Sequence, residues 1–308
     1  MPSADYVLQA TKGIKKSFDN AVQKKLESYK DSRIFTFETT SEFNEIFTST
    51  EGLTGSKQLG ELETPPTLKL EDGYSVTLSD KRFGGAIELT ETMQVQARDN
   101  TTMIDKFLKR QRNQLLKDNV NLFLTNVFAL LNDAFTGTSY LAPDGDALCS
   151  DTHTWASGGT FDNKSTAALS QSAWDDVQEY GGAFTDPSGK PMPISFDMII
   201  VKKGSDTART AIKLFAKEIK PTAVNDINIY EGTVTVIETP YITAANAANW
   251  FAMSSMLESP LYVGINEMPS LKDPIRQNNE AVRTNCTGYY KVGINNMPFN
   301  FYGSTGAA

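Results

Sequence analysis

The stretch from Thr102 to Phe135 reads TMIDKFLKRQRNQLLKDNVNLFLTNVFALLNDAF and contains neither proline nor glycine. Ile104, Phe107, Leu108, Leu115, Leu116, Phe123, Leu124, Val127 and Leu131 recur in it at helical spacing. Lys106, Lys109, Arg110, Arg112 and Lys117, with Arg98 just upstream, cover the other side of its first half. Unbroken, about 34 residues at ~1.5 Å each make a helix of roughly 50 Å, far longer than an ordinary helix. Such a helix spans a large subunit or supports an elongated one. From Asn121 onward it is apolar enough to be buried nearly all round, and Gly137 stops it.

Upstream, Gly52 to Thr92 has a different character, punctuated by Gly52, Gly55, Gly60, Pro65, Pro66 and Gly73. Tyr74, Val76 and Leu78 alternate with Ser75, Thr77 and Ser79, which is strand periodicity. Phe83 to Leu89 reads as a second strand after a turn near Ser79 and Asp80. The two are expected to form a long excursion, polar on at least one face. An isolated hairpin is marginal in water, so a long one needs something to pack on, and another subunit could supply it. Further back, Val7, Ile14, Phe18, Val22 and Leu26 give Tyr6 to Lys30 a helical rhythm. This segment is basic, with Lys12, Lys15 and Lys16 among its cations. A solvated amphipathic helix and a terminal arm lying on a neighbour or facing nucleic acid both fit, and spacing does not choose.

Downstream, Thr136 to Ser165 is a glycine-, serine- and aspartate-rich loop region. Ser170 is placed to cap a shorter helix with Trp174, Val177 and Tyr180 on one face. Phe196 to Val201 is a nearly continuous apolar run, expected as a buried strand. A helix from Ser205 to Phe215, a strand around Val234 to Ile237 and another from Trp250 to Met253, extended as far as Met256, complete a small α/β layer. Tyr262 to Tyr302 mixes short strands and loops, and Tyr289 to Ile294 suits a terminal strand returning to an earlier domain.

The chain has 308 residues, enough for two or three domains. With 40% hydrophobic and 21% charged residues it is neither disordered nor fibrous. A net charge of −8 gives no support to a protein that wraps the phosphate backbone, leaving only a local basic region for that role. Met1 to Ala10 lack the pattern of a secretory signal, and no apolar stretch reaches membrane-spanning length. Cys149 and Cys286 lie too far apart for a disulfide scaffold, which suits a reducing compartment.

Motifs that carry chemistry are sparse. Cys149 and His153 sit four apart in a loop, which gives no common face for a nucleophile and its base. His153 is the single histidine, and a zinc site from Cys149, Asp151, His153 and Cys286 would need distant segments to converge. Asp144-Gly145-Asp146 lacks the remaining ligands of a calcium loop and reads as a turn. No phosphate loop, dinucleotide fingerprint or serine elbow occurs. The expectation is a structural subunit that is not an enzyme and uses no cofactor or metal.

Asp146-Ala147-Leu148-Cys149-Ser150-Asp151-Thr152-His153, then Gly158-Gly159-Thr160, then Ala168-Leu169-Ser170 and Trp174, resemble a motif of the tailed-phage major capsid family, in particular its Mu-like head subunits. The loose match runs from about Leu59 to Gly293. The resemblance implies an α+β chain with the HK97-like capsid fold. It assigns residues 1–50 to an N-terminal arm and lead-in, 51–97 to an extended loop lying across a neighbour, and 98–190 to a peripheral domain with the long spine helix. Residues 191–260 become an axial domain around the five-fold and six-fold axes, and 261–308 return to the peripheral domain.

It further implies self-assembly through pentamers and hexamers into an icosahedral head around double-stranded DNA. Assembly would take place in the bacterial cytoplasm, with a separate scaffolding protein, because Met1 leads directly into a short arm. Portal, head-closure and decoration proteins are partners of the same kind, and no membrane is involved. Leu59, Leu62, Leu68, Leu70, Tyr74, Val76 and Leu78 become candidates for the inter-subunit contact, and Lys12, Lys15, Lys16, Arg98 and Arg110 for the inner, DNA-facing surface. Two other readings stay open. One is an encapsulin-like compartment or gene-transfer particle of the same fold. The other is a soluble two-domain enzyme, which requires Gly52 to Thr92 to pack on its own chain.

Overall fold

The structure is a computed structural model that describes residues 33–54, 58–59, 61, 63–66, 69–99, 101–215 and 230–307. In chain order come strands β1 (Thr36–Thr39), β2 (Asn44–Thr54), β3 (Lys69–Ser79) and β4 (Lys81–Leu89), then helices α1 (Glu91–Asp99) and α2 (Thr101–Asn132). Short strands β5 (His153–Thr154), β6 (Thr160–Phe161) and β7 (Lys164–Ser165) precede α3 (Gln171–Ala183). Then follow β8 (Met198–Lys202), α4 (Asp206–Phe215), β9 (Thr235–Thr239), β10 (Trp250–Met253), β11 (Leu261–Leu271), β12 (Ile275–Arg276), β13 (Val282–Ile294) and β14 (Phe301–Ser304). Among the described residues no helix is long and apolar enough to cross a membrane.

The long helix exists, with 32 residues. Phe123, Leu124, Val127, Phe128, Leu130 and Leu131 are all buried, and a narrow strip at Leu122 and Thr125 stays exposed. It ends at Asn132 and not at Phe135, because the Asp133 carboxylate accepts the backbone N–H groups of Thr138, Ser139 and Tyr140 and folds the chain back. Asn132 meanwhile donates to the Phe128 and Tyr241 carbonyls.

Two five-stranded sheets flank this helix. In the first, β13 is paired on both edges, with β11 on one side and β4 on the other: Cys286 faces Leu271 and Gly85. β12 also pairs with β13, and β1 lies parallel to β11. In the second, the order is β7-β14-β10-β8-β9. Strands β8 and β9 are parallel and joined through α4, the crossover that parallel pairing demands.

The apolar runs in β8 and β10 follow from their place between two cores. Met198, Ile200, Phe251 and Met253 join the core of α2 and the first sheet. Ile199, Val201, Trp250 and Ala252 face a second core with Trp174, Val177, Ala208 and Phe215 from α3 and α4. A strand buried on both faces loses the polar alternation of a half-exposed one. Ser170 caps α3 as expected, its hydroxyl accepting from the Ala173 N–H at 3.1 Å.

Four expectations need correction. Strand β3 does not pair with β4 but with β2, Asn44 opposite Ser79 and Phe47 opposite Val76. Strand β4 turns away at Asp80 into the first sheet, with Lys81 opposite Tyr290. Alternation marks a strand and is silent about its partner. Consequently the boundary at 50–51 cuts through β2 and the one at 97–98 cuts through α1. The C-terminal region holds two long strands, β11 and β13, and its last strand β14 joins the second sheet, because β10 is buried on both faces and needs both edges paired. Met256 lies beyond β10 and is 85% exposed.

Candidate assembly site

The β2–β3 hairpin has two unlike faces. Glu45, Phe47 and Ser49 on β2 share one face with Tyr74, Val76 and Leu78 on β3, and this face turns toward the body. Phe47 meets the Tyr262 ring at 4.6 Å, Leu78 lies over Gly293, and Tyr74 packs against the second core. The other face carries Asn44, Ile46, Thr48, Ser75, Thr77 and Ser79. There Thr48 and Ser75 share a hydroxyl hydrogen bond at 3.2 Å. Ile46 is 69% exposed and Phe43, just before the strand, 57%.

Tyr74 and Leu78 spend their apolar surface on their own chain, and Val76 shares their face. Leu59 is exposed. Leu70 stands opposite Leu53 in the outer part of the hairpin, its side chain outside the described atoms. Leu62 and Leu68 lie outside the described residues.

At the hairpin root the body face is ionic. Lys291 of β13 is 1% exposed, and its Nζ donates to the Glu42 carbonyl at 2.7 Å and to Glu45 Oε2 at 3.1 Å. Asp80 Oδ1 is 3.8 Å from the same ammonium, while Oδ2 accepts from Asn266 Nδ2 at 2.8 Å. The Asp80 N–H closes the root by donating to the Phe43 carbonyl. The methylenes of Lys291 cross Gly264, where a Cβ would come within 2.8 Å of Lys291 Cγ. A buried ammonium is tolerated only when paired and hydrogen-bonded, and three acceptors converge here. Tyr262 stands beside them, its hydroxyl 3.1 Å from both Glu38 Oε2 and Glu45 Oε2. Burial, reinforced by these carboxylates, pushes its phenol well above the ordinary range, so it stays a donor. Sequence reasoning missed this cluster. Its one trace was a lysine inside the otherwise apolar run Tyr289-Tyr290-Lys291-Val292.

The loop after α2 is held by side chains. His153 is fully buried, its Nδ1 2.8 Å from Asp144 Oδ2 and its Nε2 3.4 Å from the Leu148 carbonyl. Burial works to raise the Asp144 carboxyl. The His153 hydrogen bond and charge, with the N–H groups of Asp146 and Thr154, outweigh it and hold the group below its usual value. Asp144, Asp146 and His153 are the one grouping of metal-ligating type among the described residues, their ligand atoms within 4.8 Å of one another. Asp144 is already engaged by His153 and by the turn, and neither cysteine takes part. Burial pushes the Cys149 thiol well up, so it is no activated nucleophile. Asn163, fully buried, donates to the carbonyls of Leu148, Pro298 and Phe301 and accepts from the Ser150 N–H, tying the loop to the C-terminal strand.

The described residues thus combine a long helix on the first sheet, a second sheet shared between two cores and a two-stranded hairpin. A family model described as phage capsid protein matches residues 76–298, well over half of the chain. The chain belongs to the phage capsid protein family. It is similar in structure to a protein of Gordonia phage Cozz, at 10% identity over 88% of this chain and 84% of that one, with a TM-score of 0.51. It is also similar to the virus-like particle protein from Pyrococcus furiosus, at 9% identity over 95% and 98%, with a TM-score of 0.50. At such identities the likeness speaks for the fold, which is HK97-like and α+β as the resemblance implied. A comparison with curated proteins finds no match in sequence.

The capsid subunit is thus a structural shell protein of virions that assembles into oligomeric particles. Of its cationic candidates, Arg110 is exposed on α2, in one stripe with exposed Lys106 and Lys117. Arg98 falls in α1 with its side chain outside the described atoms, and Lys12, Lys15 and Lys16 lie outside the described residues. The enzyme reading required the Gly52 to Thr92 region to pack on its own chain. β4 and the root of β3 do so, while the family is one of capsid structural proteins.

Proposed function

We propose that this subunit forms an icosahedral phage head through pentamers and hexamers, enclosing double-stranded DNA, with the β2–β3 hairpin as the arm laid on a neighbouring copy. The carrying observation is the hairpin's outer face: Ile46 and Phe43 remain exposed on the side of the ribbon that its own body does not cover. Heterologous contacts of one arm on the next copy close into rings and, repeated, into a shell. The exposed face around Phe43 and Ile46 would supply the apolar part of that contact, with Tyr74, Val76 and Leu78 on the partly buried opposite face. Leu59 and Leu70, with Leu62 and Leu68, belong to the distal part of the same arm.

Lys106, Arg110 and Lys117 would face the interior, joined by Arg98 and by Lys12, Lys15 and Lys16 of an N-terminal arm. Their phosphate contacts would be independent of sequence. A separate scaffolding protein would guide assembly in the host cytoplasm, followed by portal, head-closure and decoration proteins. The subunit has no catalytic duty of its own in this reading.

Electron microscopy of the purified protein, with a size measurement and extraction of contents, tests this. Closed particles holding double-stranded DNA are expected when the head genes are co-expressed. Only small oligomers under all conditions, scaffold included, would sink the reading. An enclosed enzyme instead of DNA would move the protein to a compartment shell of the same fold.

A further inference from the structure

We infer that Lys291 is a positioning residue for assembly: it pins both legs of the β2–β3 hairpin and fixes the angle at which the arm leaves the body. This rests on the reading of the hairpin as the assembly arm.

The geometry is specific. The incoming leg is held through the Glu42 carbonyl and the Glu45 carboxylate, and the outgoing leg through Asp80, all by one ammonium on β13. Lys291 is anchored in turn: it stands opposite Gly264 of β11, one residue beyond Tyr290, where β13 is paired with β11 on one edge and β4 on the other. Among the described residues β2 and β3 pair only with each other. Strands of 11 residues rising ~3.4 Å each make an arm of roughly 35 Å. The ribbon is packed on the body as far as Tyr74, so roughly 17 Å of it projects beyond, and a tilt of about 10° moves the tip by about 3 Å, enough to lose contact with a partner surface.

The apolar contacts at the root, Phe47 on Tyr262 and Leu78 over Gly293, resist lifting but tolerate sliding. An ion pair with fixed acceptors does not. Buried ion pairs contribute little net stability compared with apolar replacements, and a role in fixing one geometry is their better-attested use. Among the described residues Asp80 Oδ1, fully buried, makes no hydrogen bond, and the charge that faces it is that of Lys291.

The test is the variant Lys291→Met with Glu45→Gln and Asp80→Asn, which removes all three charges and nearly keeps shape. Hydrogen exchange of the unassembled subunit and microscopy of the assembly product are read together. Amides at 44–48 and 75–79 are expected to exchange about tenfold faster, while those of β11 and β13 keep their protection, and the particles lose their uniform size. Unchanged exchange at the hairpin root overturns the pin. Faster exchange with wild-type particles overturns its role in assembly. Should the triple variant not fold, Glu45→Gln alone, which leaves Asp80 as counter-charge, is read by the same two criteria. Wild-type hairpin amides that gain no protection on assembly would instead sink the arm reading, whatever the variants do.

Discussion

A methyl group on Gly293 would sit 2.4 Å from Cδ2 of Leu78. The hairpin root therefore rests on a bare stretch of β13 backbone. Gly293→Ala is expected to cost about 1–3 kcal/mol by overpacking, read from chemical unfolding of the subunit. The same change in a Leu78→Ala background should cost clearly less, because the clashing group is gone. Equal costs in both backgrounds would show that the two residues are uncoupled.

Asn163 satisfies three carbonyls and one N–H with a single buried amide. Asn163→Ala leaves the Ser150 N–H without its acceptor and strips one donor from each of three carbonyls, and a loss of about 2–4 kcal/mol is expected, measured by denaturant titration. A loss under about 0.5 kcal/mol, the size of an ordinary surface change, would mean that water replaces the side chain.

Asp144 has its carboxyl held below the usual value in the folded chain. A depressed carboxylate contributes stability that is complete above its unfolded value of about 3.9 and is lost as pH falls through the folded value. Asp144→Asn should thus destabilise the subunit at neutral pH, and the gap to wild type should shrink below about pH 4. Unfolding curves at several pH values check this, and a gap that widens on acidification would contradict the assignment.

Lys106, Arg110 and Lys117 are exposed on α2. Replacing Arg110 and Lys117 with Gln should shift subunit stability by no more than about 0.5 kcal/mol. If both touch phosphate, the slope of log affinity against log salt for duplex DNA should become shallower by about 1.8. An unchanged slope would remove this stripe from the inner surface.

Phe43→Ser with Ile46→Thr should change unfolding of the subunit little, because both side chains are more than half exposed. Assembly yield should fall sharply, measured by sedimentation of particles. Normal yield would place the neighbour contact elsewhere on the hairpin.

The sequence by itself determined the elements whose evidence is local. The α2 helix was legible because thirty residues without proline or glycine and with apolar spacing have one good solution. Strand β8 was legible as a short apolar run, and the Ser170 cap as a hydroxyl before a helical pattern. The family could be read from short motifs around Cys149 and His153. Partners across the chain were not legible. The alternation of Tyr74, Val76 and Leu78 fixes a face and says nothing of whether a neighbour or β13 covers it. Only the tertiary structure brought β2 to β3, sent β4 to β13 and gathered Glu45, Asp80 and Lys291, residues up to 246 positions apart, around one ammonium. Such a cluster leaves no periodic trace, because the energy that selects it is the electrostatic and desolvation balance of one buried charge, which exists only once the chain has folded.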